Sequence, residues 1–509
     1  MRYLVTGKEM QYLDEMTSTH YGVSPELLME QAAMQFVRTL TEQKQPCRVL
    51  VVCGFGNNGG DGIAIARLLR QASYDATIYF PLPWNEKKAS KLCKMQYEIY
   101  QKYGYPIAPM IAATDSYDLV IDAIFGTGLK REVTGSYEEA ILTINEMKAE
   151  RIAVDIPSGI SADTGEVLHA AVRADQTITF SFGKVGQFLA PGSEYSGRVI
   201  IVPVGITKES FLEKKPHFAY LEKKDFSLLP KRPMNSHKGT YGKLLLVAGN
   251  KDMAGAAVFA AKAAYRTGVG MVKILTHENN RNSILSQVPE AILITYKEQP
   301  DPANVIENLK WADAVVMGPG MGTDSTAQKI LSFVMEHTAV PILLDADALN
   351  IISTDTGILL RPHTDMVVTP HIGEMARLTN GTVSYTKSRY LEVAKDFAQT
   401  YDVVCVLKDA RTVTAVPYGM SYLNLSGNQG MATAGSGDVL SGIIGALLAM
   451  GVAAKTASPL GVFLHGCAGD LIAERIGKRG LMASDIINGL KILWKQVEED
   501  GNETSASRN

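Results

Sequence analysis

The stretch RVLVVCGFGNNGGDG, Arg48–Gly62, runs an apolar β-branched segment into the spacing Gly54-x-Gly56-x-x-Gly59. An apolar run ending in glycines reads as a strand, a tight turn and a helix entry, the opening unit of an α/β sheet. The glycines alone need mean no more than that turn. A dinucleotide-cofactor fold also places an acidic residue about 20 residues further on, at the end of the second strand, to hold the ribose hydroxyls. Here the second strand, ATIYF, is followed by Pro81, Leu82, Pro83 and Trp84, and no acid. The turn instead adds Asn57, Asn58 and Asp61 to backbone amides that suit phosphate.

Working outward, β-branched runs alternate with helical patterns from residue 48 to about 206: DATIYF, YDLVIDAIFG, RIAVDIPSG, QTITFSF and GRVIIVPVGI. The segment Thr6–Thr41 reads as helices packed on this unit. Periodicity fails between Thr207 and Asn235, in a stretch rich in Lys and Pro, which predicts a domain boundary. A second α/β series follows: GKLLLVAG, GMVKILT, AILITY, ADAVVMGPG, VPILLDADAL, DMVVTP and DVVCVLKD. The apolar stretches GDVLSGIIGALLAMG and ASPLGVFLHGCAGDLIAERIG carry Gly, Ser and Asp, so they read as buried core helices rather than membrane spans. The chain's 509 residues fit two domains better than one core. From Glu498 the polar composition predicts a disordered tail.

A net charge of −3 without a basic block argues against nucleic acid or an anionic membrane as partner and favours a small molecule. Cys47, Cys53, Cys93, Cys405 and Cys467 form no CxxC, so neither a disulfide framework nor a zinc site is indicated. With no signal-like apolar stretch at the N-terminus, the expected location is cytoplasmic.

Two more strand ends of the first series carry polar groups. DAIFGTGLKREVTG places Asp122 at a strand end, then a glycine-containing loop with Lys130 and Arg131; VDIPSG places Asp155 and Ser158 at another. Each Asp could cap a following helix. Open α/β sheets bind ligands outside the carboxyl ends of their strands, so the three loops should converge on one site. GFGNNGGDG, DAIFGTG and VDIPSG, in this order, resemble the NAD(P)H-hydrate epimerase family over roughly the first 210 residues. The resemblance implies a Rossmann-like three-layer domain over residues 1–215. It implies substrate contacts from Asn57, Asn58, Gly59, Gly60 and Asp61, and from the loop Gly126, Thr127, Gly128, Leu129, Lys130, Arg131 and Glu132. It also implies potassium near Asn58, Asp122 and Ser158, with Asp155 beside the reacting nicotinamide ring. LMEQAA, Leu28–Ala33, departs from the family's Met-Glu-Asn-Ala-Gly-like stretch at Gln31, Ala32 and Ala33. An ionised carboxylate beside a hydrated nicotinamide can move a proton or stabilise a cation, which makes Asp155 the candidate catalytic group.

In the second series NQGMATAGSGDVLSG, Asn428–Gly442, opens the apolar helix with Gly435, Ser436, Gly437 and Asp438. Amides and the helix dipole converge there on an anion with Asp438 beside it. Together with HKGTYGKLLLVAG, GPGMG, LLDADALN, TPHIGEMARL and VLKDART, this motif resembles the ADP/ATP-dependent NAD(P)H-hydrate dehydratase family, a branch of the ribokinase-like α/β fold. The resemblance spans residues 225–497, leaving 498–509 as tail. It implies hydrate contacts from Ala254, Gly320, His371 and Asp438. It implies nucleotide contacts from Lys408, Asp409, Ala410, Arg411 and Thr412, and from Asn428, Gly435, Ser436 and Gly437. Magnesium carried by nucleotide phosphates and ADP or ATP as co-substrate go with it; separately, a homo-oligomer is expected. From its residues alone, His371 could equally cap or pack at a helix entry. Ser436 stands for the family's Thr, and Asp409 for a Gly.

Phosphorylating a hydroxyl makes it a good leaving group, so nucleotide-driven elimination would return the hydrate to the dihydronicotinamide, with Asp438 as base and Gly435–Gly437 amides on the phosphoryl group. The expectation is a bifunctional enzyme in which one domain epimerises the R and S hydrates of NADH and NADPH and the other dehydrates the S form. The alternative is a ribokinase-like kinase of a small hydroxylated metabolite fused to a non-catalytic nucleotide-binding domain.

Overall fold

The computed structural model describes residues 1–360 and 364–506. One compact unit spans Tyr3–Phe218, and a second starts at Ala219 and includes Met1 and Arg2.

The first unit begins with two helices. α1 (Gly7–Thr19) is capped by Thr6, whose hydroxyl accepts from Glu9 N while the Glu9 carboxylate accepts from Thr6 N; α2 (Pro25–Thr41) is capped by Ser24 with Pro25 at its first position. The sheet strands are β1 (Arg48–Cys53), β2 (Asp75–Tyr79), β3 (Ile107–Ala108), β4 (Leu119–Ala123), β5 (Glu150–Val154), β6 (Gln176–Phe180) and β7 (Arg198–Val202). They lie in the order β3-β2-β1-β4-β5-β6-β7, all pairs parallel. The order reverses between β1 and β4, which opens a crevice at their carboxyl ends. α3 (Asn57–Gln71) and α4 (Lys91–Lys102) follow β1 and β2, and α5 (Ser136–Glu146) follows β4. β1 and β4 are buried throughout apart from Arg48, which is why both read as unbroken apolar runs.

The glycines of the opening turn answer first to packing. A Cβ on Gly59 would lie 1.8 Å from the Gly54 carbonyl oxygen, and one on Gly54 would lie 2.0 Å from that of Ile124. The turn thus folds back on itself and presses on the loop after β4, which draws two predicted site loops together.

In the second unit the strands are β8 (Lys243–Val247), β9 (Met271–His277), β10 (Ile292–Tyr296), β11 (Ala314–Met317), β12 (Ile342–Leu344), β13 (Met366–Val368), β14 (Val404–Leu407), β15 (Val413–Ala415) and β16 (Ser421–Leu423). Their order is β10-β9-β8-β11-β12-β13-β14-β15-β16, parallel up to β14 and antiparallel beyond. The helices that bear on the site are α6 (Ala254–Thr267), α7 (Ile372–Leu378), α8 (Ser436–Ala449), α9 (Ala454–Ile476) and α10 (Ala483–Ala506). α8 is buried from Val439 to Ala449 and shares one core with β8, β11 and α6, as expected of a core helix. Among the described residues no helix is long and apolar enough to cross a membrane.

α10 runs through most of the stretch expected to be without structure; Lys495 and Glu499, one helical turn apart, pair at 3.8 Å along it. Residues 507–509 of that expected tail lie outside the described residues.

Candidate functional sites

A cavity of about 1390 Å³ opens in the first unit at the β1/β4 switch point. Of the residues the sequence singles out, Asn57, Asn58, Asp61, Gly126, Thr127, Gly128, Leu129, Lys130, Arg131 and Asp155 line it. Gly59, Gly60 and Glu132 are not among the described lining residues. Gly60 packs inward, where a Cβ would lie 2.8 Å from Met29 Cε. At Gln31–Ala33 the departing residues belong to α2; Ala32 lines the cavity, and the neighbouring Glu30 accepts at 2.7 and 2.6 Å from Arg67.

Asp155 follows β5 with φ +66°, a left-handed conformation that Asp tolerates better than most residues. Its Oδ1 accepts from Thr179 Oγ1 at 3.0 Å, from Phe180 N at 3.1 Å and from the Lys184 ammonium. Lys184 is fully buried and also donates to Thr179 Oγ1 at 3.0 Å and to the Phe180 carbonyl at 3.3 Å. The short strand Gly183–Lys184, paired parallel with Leu4–Val5, delivers it. The ammonium is thereby fixed against the Asp155 carboxylate. Asp61 has no such partner: burial, then the charges of Asp155 and Asp14, push its carboxyl well above the usual range.

Behind the cavity wall, Ser158 donates from its N to Asp122 Oδ2 at 2.7 Å and from its hydroxyl to Asp122 Oδ1 at 2.5 Å. The Ser158 hydroxyl accepts from Phe125 N at 2.8 Å, and Asn58 Nδ2 donates to the Phe125 carbonyl at 2.9 Å. The three residues expected to hold potassium therefore meet, with a carbonyl oxygen among them. Asp122 is fully buried, and burial pushes its carboxyl up to about 6 against the bonds from Ser158 and Ile124. A buried carboxylate with hydroxyl, amide and carbonyl oxygens around it and no ammonium on it fits an alkali cation.

In the second unit Gly435, at φ +89°, caps α8 without a side-chain bond; Ser436 N donates to the Thr433 carbonyl at 3.3 Å, and the amides of Gly437 and Asp438 are left open to an anion. Burial, then Asp345, raises Asp438 to about 7, although Lys408 opposes the shift. Lys408 donates to Asp345 Oδ1 at 2.7 Å, and Ser441 Oγ donates to Asp345 Oδ2 at 2.6 Å. Despite its burial, Asp345 is held below the usual carboxylate range by Lys408 and these bonds. A Cβ on Gly437 would sit 3.4 Å from Lys408 Nζ, so that ammonium lies under the first turn of α8.

Ala254 opens α6 beside Gly320, whose Cβ would lie 3.0 Å from Ala256 Cβ and whose carbonyl accepts from Asn250 N at 2.5 Å. Gly322 N donates to Asp347 Oδ2 at 2.9 Å, and Asp347 in turn acts on Asp438. His371 caps α7: its Nδ1 accepts from Gly373 N at 3.0 Å and Glu374 N at 3.4 Å, and on this half-exposed side chain Nε2 lies 3.5 Å from Glu374 Oε1. Burial, then Lys408 and Arg377, lowers its basicity. Of the two roles open to His371, the cap is seen, at Nδ1.

The loop Lys408–Thr412 is gripped by Tyr390, whose hydroxyl donates to the carbonyls of Leu407 at 2.6 Å and Arg411 at 3.0 Å. Arg411 donates to the Leu425 carbonyl at 2.9 Å, while Asp409 and Ala410 are exposed, so the extra charge of Asp409 faces solvent. Asn428 is committed to structure: it donates to Asp470 Oδ1 at 2.9 Å and accepts from Gly430 N at 3.0 Å. Ser436 Oγ lies 3.3 Å from Nε2 of His465, which burial lowers to about 4.

Two family models match the chain, one described as YjeF-related protein N-terminus over residues 25–186 and one as NAD(P)H-hydrate dehydratase over residues 244–491. A bifunctional NAD(P)H-hydrate repair enzyme of Moorella thermoacetica is 36% identical over 527 residues, covering 98% of this chain and 98% of its own. The chain belongs to the bifunctional NAD(P)H-hydrate repair enzymes. The Escherichia coli member is 37% identical, covering 90% of this chain and 87% of its own. A solved ribokinase-like superfamily protein of Enterococcus faecalis V583 is 27% identical, with a TM-score of 0.51, covering 56% of this chain and 97% of that one. The second unit thus has the ribokinase-like fold.

This repair enzyme's sites contain residues that the motifs do not single out. Lys184 and Asp14 in the epimerase unit, and Asp345 and Asp347 in the dehydratase unit, are set by tertiary packing. The only sequence cue for the latter pair is their position at the end of the β12 motif LLDADALN.

Replacing Lys408 by Met leaves Asp345 buried and unpaired, which is expected to lower stability by about 3 kcal/mol. Urea unfolding followed through the second unit checks this, and an unchanged midpoint contradicts the pairing.

Proposed function

We propose that the first unit interconverts the R and S hydrates of NADH and NADPH at the Asp155 cavity. The second unit dehydrates the S hydrate, using ADP or ATP, at Asp438. The observation that carries the reading is Asp438: a carboxyl raised to about 7, beside the open amides of α8 and above the Lys408 ammonium. That is a base set next to an anion site, as phosphoryl transfer to a hydroxyl requires.

In the second unit Asp438 takes the proton of the substrate hydroxyl as its oxygen attacks the terminal phosphorus. The open amides at the start of α8 and Lys408 stabilise the equatorial oxygens. Loss of phosphate, with the electron pair of the ring nitrogen assisting, then gives a conjugated cation, and loss of a ring proton restores the dihydronicotinamide. Among the described residues no group of three His, Cys, Asp or Glu is placed to hold a metal ion. This suits magnesium carried by the nucleotide phosphates, where it would neutralise their charge. The loop Lys408–Thr412 and the turn at Gly435–Gly437 are the proposed nucleotide contacts. Lys408 contributes charge from below rather than a loop contact, and Asn428 shapes the loop. Ala254, Gly320 and His371 line the hydrate side.

In the first unit, Asn57 and the amides of the α3 entry face the substrate's phosphates together with Lys130 and Arg131. Potassium would be held by Asp122, Ser158, Asn58 and the Phe125 carbonyl, where it would pin the Gly126–Glu132 loop and offset the buried carboxylate. Replacing potassium by lithium is expected to slow epimerisation. Asp122→Asn is expected to raise the potassium concentration needed by about tenfold or more. A potassium titration of both proteins checks this, and an ion-independent rate contradicts it.

Product analysis tests the second activity. With S hydrate and ATP or ADP, orthophosphate and reduced nicotinamide are expected in equal amounts. Accumulation of a stable phosphorylated product supports a kinase instead.

A further inference from the structure

α1 turns a polar stripe to the epimerase cavity: Gln11, Asp14, Glu15 and Ser18, spaced i, i+3, i+4 and i+7, all line it. The steps above use none of them. The helix is tied to the substrate loop, because a Cβ on Gly7 would lie 2.7 Å from the Thr127 carbonyl and one on Gly128 would lie 3.8 Å from Gln11 Nε2. Asp14 therefore shares a cavity with the loop that holds the substrate.

Asp14 also shares an electrostatic field with Asp155, Asp61 and Lys184. Lys184 acts on both Asp14 and Asp61, and its ammonium is bonded to Asp155. Like charges that act on one another oppose each other's ionisation. Asp155 is committed to Lys184, burial and its neighbours push the Asp61 carboxyl well above the usual range, and Asp14 stands exposed to the cavity. Burial, opposed by Lys184 and helped by Asp155, sets Asp14 at about 6. Glu15, Lys88, Lys130 and Arg131 also line the cavity and complete the charged groups around it. Two carboxyls in one cavity, one tied to an ammonium and one exposed to the cavity, have the makings of a base and an acid.

We propose that Asp14 is a second catalytic group of the epimerase site, the acid that works with the Asp155 base. This rests on the epimerase reading of the cavity. Asp14 gives its proton to the hydroxyl on the hydrated ring carbon, and the C–O bond breaks with its electron pair leaving as water. The lone pair of the ring nitrogen forms the C=N bond of a cyclic iminium. Water adds to the opposite face of that carbon, and Asp155 takes the proton released. Proton transfer from Asp155 to Asp14 restores the starting state, so no atom or charge is gained.

The acid is required in its protonated form, so kcat for epimerisation falls as pH rises through about 6. The test follows R-to-S conversion by the full chain without nucleotide from pH 5 to 9, with a protein-free background subtracted, for the unaltered protein, Asp14→Asn and Asp14→Glu. Thermal melting confirms that each variant folds. Asp14→Asn is expected to lower kcat about 100-fold, leave KM within about threefold and abolish the fall with pH. Asp14→Glu is expected to recover part of the rate together with that fall. The proposal is overturned if Asp14→Asn retains kcat, or if it changes KM alone and keeps the original pH profile. If the unaltered chain fails to interconvert the epimers, the epimerase reading fails and this proposal with it; interconversion unaffected by Asp14→Asn removes Asp14 alone.

Discussion

Asp438→Asn is expected to lower nucleotide-dependent dehydration by about 10²- to 10⁴-fold with little change in KM, the range for removing a positioned general base. Asn matches Asp in shape, so the open amides of α8 and the Lys408–Asp345 pair stay in place. What disappears is the proton acceptor. The unaltered protein should show a rate that rises with pH through about 7 and then levels, because the base acts only when ionised. The variant's residual rate should lack that rise. Stability supplies an independent check. An Asp whose folded pKa is raised from 3.8 to about 7 is bound to a proton in the fold where the unfolded chain has lost it. Its contribution is complete below the unfolded value and is lost as pH rises through the folded one. At pH 8 the Asn variant should therefore melt higher than the parent, although it is inactive. A variant that dehydrates the S hydrate at the parent's rate removes Asp438 from the chemistry.

Asp155→Asn is expected to slow epimerisation by about 10³-fold while dehydration of pure S hydrate proceeds at the parent's rate. Asn suits this position on two counts. It tolerates the left-handed backbone at φ +66°, and its amide oxygen still accepts from Thr179, Phe180 and Lys184, which Ala could not do. The variant thus separates the carboxylate's charge from its place in the structure. Epimer-resolved chromatography reads the outcome: R hydrate should persist while S hydrate is consumed. Equal consumption of both forms means that interconversion does not depend on Asp155.

The sequence foretells the buried parallel strands of both units because strands covered on both faces must be apolar along their length, as in Val49–Val52 or Leu344 and its neighbours Ile342 and Leu343. The three-residue antiparallel strands Val413–Ala415 and Ser421–Leu423 are too short to leave such a trace. Loops at strand ends betray their site residues through glycine and acid spacing, and Asn57, Asp61, Lys130 and Asp155 do meet in one cavity. The same glycines mislead in detail: Gly60 is small because Met29 and Cys93 press on it. Asp14 and Lys184 escape notice for opposite reasons. A polar stripe on an amphipathic helix ordinarily faces solvent, and α1 shows its stripe to a cavity formed by distant loops. A lysine at the end of a short strand ordinarily stays at the surface, and Lys184 is enclosed only because its strand pairs with Leu4–Val5.

The central claim, that one chain returns both hydrates to usable cofactor, is tested most directly by supplying an R and S mixture to the purified protein and following each epimer and reduced nicotinamide separately. With ADP or ATP present, both epimers should disappear and reduced nicotinamide should account for all of them. Without nucleotide, the epimers should only equilibrate. Dehydration that stops when the S form is exhausted, with R hydrate left behind, would contradict the account.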